Sequence, residues 1–316
     1  MASPNSTFTE IVTTTLREHP NVIADNVSDH NALYRRLKSR GKIKKLDGGY
    51  EIVRPLDYAE NATFQRYSGF DTLNINASDV LSAAKYAWVQ SAVNVVASGL
   101  ELRQNSGKNQ IIDLAAARVK NAMRTASNNM SVDLYSSGAL SNQMGGLAHI
   151  ITTDGTGTVG GIVSGTYTFW KNKFTETGTP SKTTIKGDMN TLWLQLVRGT
   201  DKPDLIVSTH DFYNYFWESL QDLQRYASAD EATAGFQSLK YQTADVMFDS
   251  NDNFSTTGEK MYFLNTEYLE LCVHKDANWT QLDDKMSVNQ DAVVIPIIWQ
   301  GQLTCSNRSL QGVLFD

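Results

Sequence analysis

Residues 109–135 read NQIIDLAAARVKNAMRTASNNMSVDLY, and within them Ile111, Leu114, Ala115, Val119, Ala122, Met123, Ala126, Met130 and Leu134 recur every three or four positions. Apolar side chains at that interval share one face of an α-helix. Asn105-Ser106-Gly107 punctuate the chain before the run and Gly138 ends it. At 1.5 Å per residue such a helix is roughly 40 Å long, enough to serve as the backbone of a domain.

Working upstream, 85–102 alternate through Tyr86, Trp88, Gln90, Val93, Val95, Leu100 and Leu102. This pattern predicts strands broken at Ser98-Gly99, in preference to a helix through Leu81, Ala84, Trp88 and Ala92. The stretch 54–78 is the least self-sufficient in the chain. Pro55, Asn61, Gly69, Asn74 and Asn76 interrupt it, and its aromatics Tyr58, Phe64, Tyr67 and Phe70 have no local core. Fixing a backbone costs about 1–2 kcal/mol per residue, more than so few large apolar residues offset, so the stretch is expected to be ordered by neighbouring copies or, in a monomer, by packing on its own domain. Before it, Ile43 to Leu46, the turn Asp47-Gly48-Gly49, and Tyr50, Ile52 and Pro55 predict a tight hairpin. Leu33 and Leu37 predict a helix over about 29–39 ended near Gly41, and Phe8, Ile11, Val12 and Leu16 a separate arm helix over 7–17, stopped by Pro20.

Downstream, 145–165 are rich in glycine and threonine, Tyr167, Phe169 and Trp170 form an aromatic patch, and 171–182 read as a polar loop. Leu192, Leu194, Leu196 and Val197 predict a helix, 205–207 a buried strand, and Ser208 with Asp211 a cap for a helix through Phe212, Phe216 and Leu220. Strands are expected over 246–248, 261–265, 268–274 and 293–299. The fold class is therefore α+β, with no internal repeat.

Composition narrows the function. With 316 residues, 41% hydrophobic and 20% charged, the chain has the make-up of an ordered globular protein. A net charge of −6 argues against a generally nucleic-acid-coating protein. The two cysteines, Cys272 and Cys305, cannot build a disulfide framework and suit a reducing compartment. Met1 to Glu10 lack an apolar core and no apolar run approaches ~20 residues, so neither a classical signal nor a membrane span is expected.

Catalytic templates find no match. Gly155-Thr-Gly157-Thr-Val-Gly160 has dinucleotide-loop spacing, but Gly161, Gly165, Thr166 and Thr168 follow where a helix is required. No nucleophile elbow, Walker loop or zinc-protease pair occurs. His210 beside Asp211 suits a helix start better than a dyad, and the five histidines stand at no ligand spacing. No catalytic residue, cofactor or metal is expected, and the chain reads as a non-enzyme. The basic run Arg35, Arg36, Lys38, Arg40, Lys42, Lys44 and Lys45, with the predicted hairpin, sketches a winged-helix DNA-binding regulator. A solvated basic face, or contact with acidic neighbours, is the simpler expectation.

The order of these parts resembles the major capsid protein of tailed double-stranded-DNA bacteriophages, whose fold encapsulins share. The residues 49–56, Gly-Tyr-Glu-Ile-Val-Arg-Pro-Leu, are similar to the entry to that family's extended loop. Trp88 through Leu102 resemble its return, Gln104-Asn105-Ser106-Gly107 the bend, and 109–135 the spine helix. Gly161-Ile-Val-Ser164 and Phe169-Trp-Lys-Asn172 resemble the peripheral segment. Gln224-Arg225-Tyr226, Gly235-Phe236, 261–266 and the ending 301–308 resemble the axial domain.

The resemblance implies an N-terminal arm (1–47), an extended β-hairpin loop (48–90), a peripheral domain (91–185) and an axial domain (186–316) whose C-terminal end partly returns to the peripheral domain. It implies a structural protein that self-assembles as pentamers and hexamers into an icosahedral virion shell, built in the host cytoplasm with portal and scaffolding proteins. The shell encloses double-stranded DNA without sequence-specific binding. Contacts between copies are expected at Arg54, Tyr58, Phe64, Tyr67, Phe70, Arg225 and Tyr226. An encapsulin-type compartment is the alternative. Some relatives join subunits by a lysine–asparagine isopeptide bond assisted by glutamate; Lys85 with Glu51 or Glu60 supplies residue types without matching that motif. Many members carry a charged helical scaffolding segment before the arm. Here the arm begins almost at Met1, so a separate scaffolding protein or a mature form is expected.

Overall fold

A computed structural model describes residues 31–76, 78–98, 108–224, 239–249, 258–282, 285–286 and 291–316. The expected arm helix over 7–17, the bend at 104–107, Arg225, Tyr226 and Gly235-Phe236 lie outside the described residues.

In chain order the elements are α1 (Ala32–Ser39), β1 (Ile43–Leu46), β2 (Ile52–Asp57), β3 (Leu81–Tyr86), β4 (Val89–Ser98), α2 (Lys108–Leu134) and α3 (Leu147–Ile150). There follow β5 (Thr158–Val159), β6 (Ile162–Val163), β7 (Lys173–Glu176), α4 (Ile185–Leu196), β8 (Leu205–Ser208) and α5 (His210–Gln224). The last are β9 (Leu239–Tyr241), β10 (Ala244–Phe248), β11 (Lys260–Leu264), β12 (Leu269–Gln281), β13 (Lys285–Met286), β14 (Ala292–Cys305) and β15 (Gly312–Phe315).

Two sheets organise these elements. The first runs β1-β12-β14-β13, with β4 also paired to β14 over ten residues. α2 lies against it: Val119, Ala122 and Met123 pack on Val95, Ala97, Ile295 and Ile297, while Met130 and Leu134 enter the main core. The helix matches the predicted span to within one residue at each end, and the alternation before it falls on two strands, the end of β3 and β4, while 99–102 lie outside the described residues. The second sheet runs β7-β15-β11-β8-β10-β9. α4 and α5 cover it through Ile185, Met189, Leu192, Trp193, Phe212 and Phe216, against Ile206, Val246, Met261, Phe263 and Leu314.

Three local expectations need correction. The hairpin at Asp47-Gly48-Gly49 does not form: β1 pairs in parallel with β12, and β2 pairs antiparallel with β3. Gly48 and Gly49 have φ of 139° and 117°, glycine-favoured values that here carry the chain from one sheet to another. The wing of a winged helix is thereby lost. Ser208 does not cap α5, because its hydroxyl donates to the Thr209 carbonyl (2.9 Å). Within the predicted polar loop at 171–182, the residues of β7 pair in parallel with β15, an edge strand whose polar alternation hides it from a search for apolar runs. The glycine-rich segment, by contrast, is a loop as expected: β5 and β6 form a small hairpin turning at Gly160 and Gly161, with φ of 60° and 74°.

Candidate subunit-contact surface

The stretch predicted to lack its own core is a projecting ribbon. Its root is the six-pair ladder of β2 and β3. Alternation turns Ile52, Leu56, Ala84 and Tyr86 into the main core and leaves Val53 and Leu81 exposed. The Tyr86 hydroxyl donates to the Cys305 carbonyl (2.8 Å) and accepts from the Cys305 amide (3.2 Å). Burial drives that phenol far above its ordinary pKa and pushes the Cys305 thiol up to about 12, so neither ionises near neutrality. The β5–β6 hairpin braces the root from below: the Gly160 carbonyl accepts from Lys85 N–H (2.9 Å), and a Cβ on Gly160 would stand 2.7 Å from that of Ala84.

Charge fixes the root as well. Glu270, buried on β12, receives Lys44 from β1 at 2.9 Å and the Arg54 guanidinium from β2. Arg36 reaches Asp245 at 3.1 Å and Asp204 at 3.5 Å, Arg40 reaches Asp204 at 3.4 Å, and Lys42 reaches Glu267 at 3.2 Å. Much of the basic run therefore meets acidic neighbours in its own chain, as the simpler expectation held.

Beyond the root, residues 58–80 contain no regular element among those described, and side-chain amides span the two arms. Gln65 Nε2 donates to Thr72 O (3.0 Å), Asn74 N–H to Gln65 Oε1 (3.2 Å), and Ala62 N–H to Ser78 Oγ (3.4 Å). The tip turns at 68–71, with Asp71 N–H donating to Ser68 O and Ser68 N–H to Asp71 Oδ2. The apolar side chains on this frame face solvent: Phe64 is 79% exposed, Ile75 90% and Phe70 fully. Tyr67 and Leu73 are exposed too.

Of the residues expected to touch other copies, Phe64, Tyr67 and Phe70 share this outer ribbon. Tyr58 sits at the root, stacked on Phe169 with ring centroids 5.6 Å apart. Arg54 is turned inward to Glu270. Leu73, Ile75 and Leu81, not among those expected, are exposed on the same ribbon. Lys85 Nζ lies 4.0 Å from Glu51 Oε2, at the limit of an ion pair.

Elsewhere, His210 is the first residue of α5 and its ring meets Phe248 at 5.1 Å. No group of three or more His, Cys, Asp or Glu able to hold a metal occurs among the described residues, and none of their helices is long and apolar enough to cross a membrane.

No known family profile matches the chain, and no curated protein matches it. Solved structures do. The capsid asymmetric unit of cyanophage A-1(L) superposes with a TM-score of 0.61 at 15% identity, covering 87% of this chain and 90% of that one. The capsid of Myoviridae phage XM1 gives 0.56 at 12%, covering 88% and 91%. The holo-SrpI encapsulin complex from Synechococcus elongatus PCC 7942 gives 0.56 at 11%, covering 89% and 86%. This is the phage capsid-protein fold, shared with encapsulins. The β2–β3 ribbon with 58–80 lies within the stretch expected as the extended loop, and α2 covers the span expected as the spine helix. Their root is locked to the first sheet by Tyr86 and Glu270, while the loop's apolar tip is left uncovered.

Proposed function

We propose that the chain is a major capsid protein, which self-assembles through pentamers and hexamers into an icosahedral shell around a phage's double-stranded DNA. The observation that carries this is the extended loop: its root is pinned in the core, and its outer apolar residues have no cover within one copy. A surface of that kind marks a place where other molecules bind. The capsid fold, matched over most of the chain by phage and virus-like shells, supplies the partner class: further copies of itself.

On this reading the function is association rather than turnover, and the virion is the place of action, with portal and scaffolding proteins as partners. Residues 1–47 act as arm, 48–90 as loop, 91–185 as peripheral domain and 186–316 as axial domain. β14 supports a C-terminal return, since it pairs with β4 beside the spine helix. The net charge of −6 suits an inner wall that lets DNA slide, and contact with DNA is expected to be weak and without sequence preference. Electron microscopy of the purified protein tests the proposal. Closed icosahedral particles support it, and small discrete oligomers at every concentration and salt overturn it. Particles that retain an enzyme cargo instead of DNA assign the chain to an encapsulin-type compartment.

A further inference from the structure

Two Asp-Gly pairs occur in the chain, Asp47-Gly48 and Asp154-Gly155, and the fold sets them in opposite chemical states. An Asp-Gly pair can rearrange with water as its only reagent, because glycine carries no side chain to keep its amide nitrogen from the aspartyl Cγ. The reaction needs a carboxyl that can take up a proton, a glycine N–H that is not donated elsewhere, and room for the backbone to close a small ring.

Asp154-Gly155 fails on each count. The Asp154 carboxylate accepts from Thr156 N–H (3.0 Å) and from the Thr156 hydroxyl, bonds that pull its pKa down to about 2 and keep it ionised. Gly155 is buried, its N–H donates to Thr152 O (3.4 Å), and a Cβ on it would stand 3.0 Å from Asn172 O. Arg308 clamps the same turn, donating to Thr156 O (2.8 Å) and Thr152 Oγ1 (3.0 Å).

Asp47-Gly48 meets all three conditions. The Asp47 side chain is 88% exposed and lies 3.6 Å from the exposed Lys275 ammonium, a pair of little weight in water. Gly48 is exposed, and among the described residues nothing accepts from its N–H. A Cβ on Gly48 would meet only His274 Nε2, at 3.8 Å. Asp276 N–H donates to Nδ1 of that ring (3.1 Å), so the neutral imidazole carries its proton on Nε2, and a proton donor stands beside the peptide.

We propose that Asp47 is a site of spontaneous isoaspartate formation and that Asp154 is protected from it. With the carboxyl protonated, the Gly48 nitrogen attacks Asp47 Cγ. The N–Cγ bond forms, the bond from Cγ to its hydroxyl breaks, and the hydroxyl leaves as water with the amide proton. Water then adds to the main-chain carbonyl carbon of the cyclic imide and breaks its bond to nitrogen, which stays linked to Cγ. One water leaves and one enters, so the mass is unchanged, while the main chain is longer by one carbon and carries a new α-carboxylate. β1 is held in register with β12, and β2 with β3, so the added carbon falls in the connection that leads from the first sheet into the ribbon. The inference concerns the single chain and is independent of the capsid reading.

Full-length protein aged in mildly acidic buffer made with heavy-oxygen water, then digested in ordinary water, tests it. The peptide carrying Asp47 is expected to split into two chromatographic forms. The new form bears one heavy oxygen and accepts a labelled methyl group from an isoaspartate methyltransferase. It is expected to accumulate at least about tenfold faster than any such form of the Asp154 peptide, a factor equivalent to about 1.4 kcal/mol. Asp47→Glu is expected to abolish the signal at that peptide. In denaturant the two wild-type peptides are expected to react at similar rates, because only the fold separates them. An Asp47 peptide that stays single, an Asp154 peptide that keeps pace with it in the folded protein, or a difference that persists in denaturant overturns the proposal.

Discussion

Arg308 shows how much of the molecule hangs on single side chains. It is fully buried, and no carboxylate among the described residues forms an ion pair with it. Its donors go instead to the carbonyls of Ile150, Trp170 and Thr156 and to Thr152 Oγ1. One planar guanidinium thus ties the C-terminal segment to the end of α3, the glycine-rich loop and the aromatic patch. Arg308→Met removes the charge but leaves the buried carbonyls of Ile150 and Trp170 without this donor, and a loss of about 2–4 kcal/mol is expected in denaturant unfolding. Arg308→Lys keeps the charge and is expected to recover little, because an ammonium cannot spread donors in the same directions. Gly160 is the second such residue. Its φ of 60° and the Ala84 methyl facing it make Gly160→Ala costly twice, by conformation and by contact. A loss of about 2–4 kcal/mol is expected, with the amides of β3 exchanging faster than those of β8.

Among the elements, the extended loop separates folding from association. Replacing Phe64, Phe70 and Ile75 together by serine removes exposed side chains, so the thermal midpoint of the free subunit should hardly move. Each apolar side chain buried between copies is worth about 1.5–3 kcal/mol, and about 1.4 kcal/mol is tenfold in an equilibrium constant. The critical concentration for assembly, read by light scattering, is therefore expected to rise at least tenfold. A triple variant that assembles normally would remove the loop from the interface. This loop was legible in the sequence because what marks it is local: glycine, proline and asparagine, and aromatics with nothing beside them to pack on. The spine helix was legible from its periodicity alone. The pairing of β1 was not. A Gly-Gly turn announces a change of direction without naming the strand that follows, and the partner of Ile43 is Leu271, more than 200 residues on. The Glu270–Arg54 lock and the Arg308 strut were hidden for the same reason, since their partners meet only in the folded chain.

For the whole molecule, partly buried titrating groups shape the response to pH. Burial and the nearby Arg308 charge lower the His149 pKa below its ordinary value of 6.5. The folded state therefore favours neutral imidazole, and its contribution is fully present above about pH 6.5 and is lost as pH falls toward the depressed value. Burial raises Asp133 and Asp188, and these act in the opposite sense, favouring the fold as pH falls through the window just above about 4. Melting temperatures of the free subunit are expected to fall between pH 7 and pH 5, and His149→Gln to flatten that slope. An unchanged slope in the variant would move the effect to other groups.

The bond between Tyr86 and Cys305 joins positions 219 apart, and this has a consequence for synthesis. At about 5–20 residues per second, the ribosome needs ~10–45 s after making the tyrosine before it reaches the cysteine. The ribbon's anchor is thus completed only once the chain has been made through Cys305, so a nascent chain short of that point carries a ribbon whose root is not yet locked.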